Sequence, residues 1–321
     1  MRLPGREELG AAAQIVHAAL APTAQIRWPL LGARTGAEVW VKHENHGPVG
    51  AFKLRGGIVY IDGLARAAAH PAAGLIAATR GNHGQSIAYA AARAGMRAAI
   101  VVPHRNSREK NAAMRALGAE LIEHGRDFQE ALEFAQRIAT ERGLHMVPSF
   151  DPALVRGVAS YALEFFDAVA DLDTVYVPIG LGSGICATIA AREALGLRTK
   201  VVGVVAENAP AYALSFAASR VVTTDAADTI ADGIACRVPL EDAVEIINRW
   251  AERIVTVSEA EIADAMRVYF SDTHNLAEGA GAAPLAALLK ERRAMERRRV
   301  GLVLSGGNVD RELYARVLGA G

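Results

Sequence analysis

Lys53 stands in the run Val41-Lys-His-Glu-Asn-His-Gly-Pro-Val-Gly-Ala-Phe-Lys-Leu-Arg-Gly-Gly57, directly after an aromatic and at the start of a helical pattern. An amine held there loses hydration and feels the positive end of a helix. Both effects favour the neutral form, which attacks carbonyl carbons. A lysine taken alone is more often an ordinary solvated one, so the reading depends on what else the chain carries.

Three further segments carry it. Gly180-Leu-Gly-Ser-Gly184 follows the apolar run Val175-Tyr-Val-Pro-Ile179 and precedes a helical pattern from Ile185. Small residues let backbone N–H groups close around an anion, and a helix N-terminus behind them adds favourable charge, so a phosphate fits; a plain tight connection is the other reading. Thr79-Arg-Gly-Asn-His-Gly-Gln85 follows residues 75–78 and again opens a helix. Its exposed N–H groups and the Asn82 amide suit a carboxylate and a phenolic oxygen. His83 is either a general base or a structural histidine. Ser305-Gly-Gly-Asn308 ends the last apolar run, where a hydroxyl at a strand C-terminus faces the crevice of an α/β sheet, unless it is simply a serine in a Gly turn. Cys186 follows the Gly loop at a helix start, where thiolates form, but no base neighbours it and a small packing residue is the expectation. A nicotinamide dinucleotide site competes for the Gly loop, because Glu207 ends the next strand where a ribose-binding acid belongs. The third glycine of G-x-G-x-x-G would fall at Ile185, however, and Lys53 would have no use.

The elements that position these residues alternate. Short β-rich runs are expected at residues 38–42, 75–78, 97–102, 120–122, 174–178, 200–206, 253–257 and 300–304. Helical patterns lie between them, such as 82–94, 108–117 and 258–270. Several runs are apolar on consecutive positions, as in parallel strands covered on both faces. The rhythm predicts an α/β fold with doubly wound, mostly parallel sheets. The 321 residues are long for one core, so two domains sharing a cleft are the default. Acidic and basic residues balance at 35 each, leaving no global field for nucleic acid or anionic membrane. The basic run at 290–299 is broken by Met295 and Glu296 and reads as a solvated helix end. Cys186 and Cys236 give no metal-ligand spacing and need not pair, and neither a leader nor a spanning apolar run stands out. A cytoplasmic protein is expected.

Together, and in this order, the four segments resemble the fold-type II pyridoxal phosphate enzymes, the tryptophan-synthase-β-like group. Within it, the likeness is to threonine/serine dehydratases (ammonia-lyases) and serine racemase, and it runs from about Val41 to Asn308. The resemblance implies that pyridoxal 5'-phosphate sits in an interdomain cleft, carried on Lys53 as an imine, with Phe52 against its ring. Asn82 would bond the ring hydroxyl. Gly180, Leu181, Gly182, Ser183 and Gly184 would cradle the phosphate, and Ser305 would face the pyridine nitrogen. Ala231-Asp-Gly233 and Glu278-Gly-Ala-Gly-Ala282 would frame the cofactor, while Thr79, Arg80, Gly81 and His83 would meet the amino-acid substrate. The activity implied is loss of the β-hydroxyl from a threonine- or serine-like amino acid after Lys53 removes the α-proton. A 2-oxo acid and ammonia result. A homodimer is usual for the family.

Three departures from the family pattern stand out. Arg80 occupies the position where racemases place a serine, which predicts little racemase activity. Arg80 either clamps a second carboxylate, as on a 3-hydroxyaspartate-like substrate, or pairs with a neighbouring acid. The family's divalent-cation site would start at Glu207 but meets Ala213 where a second acid belongs, so no metal is expected. The chain ends shortly after Asn308, so the reading expects no regulatory domain and a catabolic role. The domains are placed at residues 1–73 with 151–321 (large, cofactor-binding) and 74–150 (small, mobile).

Overall fold

Strands whose residues are buried on consecutive positions dominate the chain, as two covered faces require. The computed structural model describes residues 1–67 and 73–320. The strands are β1 (Gln25–Arg27), β2 (Glu38–His43), β3 (Leu75–Ala78), β4 (Ala98–Val102), β5 (Glu120–Glu123), β6 (His145–Met146), β7 (Thr174–Pro178), β8 (Lys200–Ala206), β9 (Arg253–Val257) and β10 (Arg299–Leu304). They form a six-stranded sheet, β1-β2-β10-β7-β8-β9, and a four-stranded sheet, β5-β4-β3-β6. Every pairing is parallel except β1 with β2.

Side-chain alternation sorts each sheet onto two cores. Tyr176, Val202, Val204, Leu302 and Leu304 face one side of the large sheet, toward the helix Gly279–Lys290. Val175, Val177, Val201, Val205 and Val303 face the other, toward the helices Pro152–Ala168 and Ser183–Ala194. In the small sheet Leu75, Ala77, Ile100 and Val102 oppose Ile76, Ala78, Ala99 and Val101. Each fully buried Val, Ile or Leu contributes roughly 1.5–3 kcal/mol.

Small residues bring three helices together beneath Lys53. A Cβ on Gly157 would fall 2.3 Å from the Arg55 carbonyl oxygen, and one on Gly57 would fall 2.2 Å from Ser86 Oγ. Only glycine allows the helix Lys53–Arg66 to lie this close to Pro152–Ala168 and to Asn82–Arg93.

The structure corrects the sequence reading at several edges. It adds β1 and β6, starts β4 at Ala98, and carries β5 to Glu123. The helix after the Gly loop begins at Ser183, two residues before the apolar pattern, because Gly182 takes φ +99° as its cap. The helix expected from 258 runs Glu259–Thr273, with Ser258 and Glu261 forming a reciprocal capping box. The basic run after Lys290 is a turn whose charges are largely solvated or paired, as in Arg298–Asp173 and Lys290–Glu261.

Candidate active site

Three of the four segments leave the C-terminal ends of β3, β7 and β10, and the fourth is tied to β10 through backbone bonds. Phe52 N–H donates to the Ser305 carbonyl at 3.0 Å, and Ala51 bridges Gly306. They meet around one cavity of about 520 Å³, where open α/β sheets hold small ligands. Phe52 and Lys53 line it, with Thr79, Arg80, Gly81, Asn82 and His83 opposite. Gly180, Leu181, Gly182, Ser183, Gly184, Glu278 and Ser305 line it as well. Every site residue expected from the sequence therefore faces the same space.

Lys53 is the first residue of its helix, and Ser86 Oγ donates to its carbonyl oxygen at 2.7 Å. The residue is partly open toward the cavity, but its ammonium lies deep among protein atoms. Burial pulls its pKa down to about 8. Among the described residues its ammonium makes one hydrogen bond, to Ser183 Oγ on the Gly loop at 3.1 Å. The Phe52 ring lies 5.4 Å from Nζ and packs edge-on against Tyr161.

The Gly loop is held from behind. Tyr212 OH donates to the Leu181 carbonyl at 2.9 Å, and Tyr161 OH donates to the Gly184 carbonyl at 3.0 Å. With those carbonyls turned back, the unpaired N–H groups of the first helical turn are left for an anion. A Cβ at Gly180 would strike the Gly233 carbonyl at 2.4 Å, so the cradle admits no side chain there.

The loop at 79–85 is shaped by its own threonine. Thr79 Oγ1 accepts from the N–H groups of Gly81 (2.8 Å) and Gly84 (3.2 Å). Asn82 donates from Nδ2 to Glu278 Oε1 at 2.7 Å and accepts from Asn308 Nδ2 at 2.9 Å. Glu278 is buried, and burial raises its pKa while Lys110 opposes the rise. Lys110, which sequence reasoning missed, donates to Asp232 at 2.7 and 2.8 Å. It also lies 3.1 Å from Glu278 Oε2, off the hydrogen-bond direction. His83 is buried and held neutral, its pKa lowered to about 3 chiefly by burial and then by the nearby Lys53 charge. Its Nε2 has no hydrogen-bond partner among the described residues. A neutral imidazole at this depth is poorly suited to take up a proton, which weighs against the general-base alternative.

Arg80 settles one alternative. Among the described residues its guanidinium makes no ion pair, and its buried Nε lacks a hydrogen-bond partner. Of the two alternatives for Arg80, pairing with a neighbouring acid is therefore not what the structure has. Cys186 is fully buried with its thiol pKa pushed up by burial, a packing residue as expected. No group of three or more His, Cys, Asp or Glu side chains among the described residues is arranged to hold a metal ion.

These residues suit pyridoxal phosphate: a buried lysine whose pKa is lowered, a side-chain-free anion cradle on a helix N-terminus, and an amide donor anchored by an acid. Comparison with known proteins agrees. The family model described as pyridoxal-phosphate dependent enzyme matches residues 16–306. An L-threonine ammonia-lyase of Thermotoga maritima is 35% identical over 91% of this chain and 72% of its own. An L-threo-3-hydroxyaspartate ammonia-lyase of a Pseudomonas sp is 33% identical over 90% of both. The crystal structure of a T.th. threonine deaminase superposes with a TM-score of 0.87 at 32% identity, covering 96% of this chain and 99% of that one. The chain belongs to the pyridoxal-phosphate dependent enzymes, in the threonine/serine ammonia-lyase and serine racemase family whose motifs it carries.

Proposed function

We propose that the chain is an ammonia-lyase that converts a β-hydroxy amino acid of the threonine or serine kind to a 2-oxo acid and ammonia. The carrying observation is the buried Lys53 amine, its pKa lowered to about 8, hydrogen-bonded to Ser183 of the Gly loop. Pyridoxal 5'-phosphate, when bound, supplies the conjugated electron sink that makes an α-proton removable. Lys53 would hold the cofactor through its amine and, with that amine free, would act as the base at the α-carbon. The N–H groups of residues 180–184 take the phosphate. Asn82 has one amide hydrogen left after bonding Glu278, and it serves the phenolic oxygen. Ser305, neutral and buried, would face the ring nitrogen and leave it largely unprotonated. Phe52 would pack along the ring. The N–H groups of Arg80, Asn82 and His83, which the loop's own bonds leave unused, would orient the substrate carboxylate. Loss of the β-hydroxyl leaves an unsaturated amine, which tautomerises and hydrolyses in water, giving one 2-oxo acid and one ammonia per substrate.

Residues 74–150 act as a small domain that closes over the substrate and excludes water; 1–73 with 151–321 form the large one. The separate four-stranded sheet supports that division. The expected assembly is a homodimer, and the expected location is the cytoplasm. No helix among the described residues is long and apolar enough to cross a membrane.

Arg80 favours a second reading, in which the substrate carries a further carboxylate, as in 3-hydroxyaspartate. Its unpaired guanidinium on the cavity wall supports this, as does the Pseudomonas relative. A panel of β-hydroxy amino acids, assayed for 2-oxo acid and ammonia without added thiol, tests both readings. Product from threonine or serine supports the first, and preference for the dicarboxylate supports the second. Turnover only with an added nucleophile would make the chain a β-replacement enzyme instead.

A further inference from the structure

We propose that Lys110 is a positioning residue that pins the loop at 79–85 against the opposite wall of the cleft. Its purpose rests on the proposed function, but its content is geometric. Lys110 lies in the helix Arg108–Ala116, beside the small sheet. Its ammonium nevertheless reaches Asp232 and Glu278, which precede and begin the helical layer of the large sheet.

The methylene stem of Lys110 passes directly beneath the loop. A Cβ on Gly81 would fall 2.3 Å from Lys110 Cδ and 3.0 Å from Cγ, and Gly81 takes φ +150°. Glycine is needed at 81 for both reasons. Glu278, held by this lysine, also accepts from Asn82 of the same loop. Lysine, acid and loop thus form one closed circuit, extended by Asn308 to the Val49 carbonyl at 2.8 Å. The circuit fixes which way the Asn82 amide points. Without the ammonium, Glu278 is a buried carboxyl that takes a proton. It then no longer obliges Asn82 to present its donor, and the amide is free to turn. Lys110 therefore acts through Asn82 and the loop, not on the reacting atoms.

Amide hydrogen exchange, read by mass spectrometry on the full chain with and without pyridoxal phosphate, tests the pin. Lys110→Met is compared with Lys110→Met/Glu278→Gln, which removes the buried unpaired acid and guards against misfolding. The N–H groups of Gly81, Gly84 and Gln85 report, since each is bonded within the loop. The expected result is exchange about tenfold or more faster at 79–85 in both variants, with β7 and β8 unchanged. Unchanged loop protection in both overturns the proposal. So does equal acceleration across both sheets, which marks a merely structural lysine. Protection restored in the double variant also overturns it, because the effect would then come from the stranded acid. A chain that never binds pyridoxal phosphate would defeat the proposed function, yet the cofactor-free exchange would still decide the role of Lys110.

Discussion

Arg55 and Lys53 stand two residues apart at the head of one helix, and the protein treats their charges in opposite ways. Arg55 spends its donors on Glu44, Glu164, Ser160 and Thr23, all inside the molecule. Lys42 joins the same cluster through Glu164, Gln25 and the Thr23 carbonyl. Two cations meet two carboxylates there, and burial is offset by matched bonds. Burial alone would raise the pKa of Glu164, but its bonds to Arg55 and then Lys42 outweigh that and lower it to about 2. On the cavity side, among the described residues, the Lys53 ammonium has one neutral partner, and Arg80 Nε and His83 Nε2 have none. Matched buried charge fixes where the helix sits. Unmatched buried polarity marks where a ligand must supply the partner.

Removing Lys53 should give the largest effect. Lys53→Ala lowers turnover by about 10³-fold or more, read as 2-oxo acid release. Lys53→Met, in cofactor-free protein, raises stability by roughly 1–3 kcal/mol at pH 7, because charging a buried lysine opposes folding. The sign follows from a folded pKa of about 8 against the ordinary 10.5. The unfolded chain binds the extra proton between those values, so the wild type gains stability there as pH rises. The advantage of Lys53→Met shrinks over the same window. A constant difference from pH 7 to 10.5 in denaturant titrations would contradict the assignment.

Breaking the matched cluster should act on stability rather than chemistry. Glu164→Gln strands the buried Lys42 and leaves Arg55 with Glu44 as its carboxylate, and costs about 3–5 kcal/mol in urea unfolding, with substrate ranking unchanged. The Glu164 contribution is complete above its ordinary 4.5 and is lost as pH falls toward about 2. The gap between wild type and Glu164→Gln therefore closes on acidification. A gap that widens in acid would refute the ion-pair account.

Arg80→Ala is the smaller and more selective change. On the dicarboxylate reading, KM for a 3-hydroxyaspartate substrate rises about 10–100-fold while that for serine moves less, since a charge-assisted bond is worth roughly 1.5–3 kcal/mol. An unchanged ranking would remove Arg80 from recognition. Chiral analysis of unreacted serine should show little racemisation, because a guanidinium is a poor proton shuttle.

The catalytic face was legible in the sequence because its parts are local. Consecutive apolar residues mark β7, β8 and β10, and β7 and β10 are followed within a few positions by Gly-rich or Ser-Gly chemistry. What escaped depends on contacts between distant segments. Lys110 lies in the charged run Arg108-Glu-Lys-Asn111, which reads as a solvated helix face, and its partner Asp232 is 122 positions away. Arg55 looks equally ordinary until Glu164, 109 positions on, comes against it. β6 is two residues long and β1 is three with a polar edge, too short for any periodicity to show.

Borohydride reduction of the protein with pyridoxal phosphate, followed by peptide mass spectrometry, addresses the central claim most directly. The account predicts loss of a near-visible absorption band and a reduced pyridoxyl adduct on Lys53 alone. A protein that stays colourless with excess cofactor, or an adduct on Lys110 or another lysine, would contradict it.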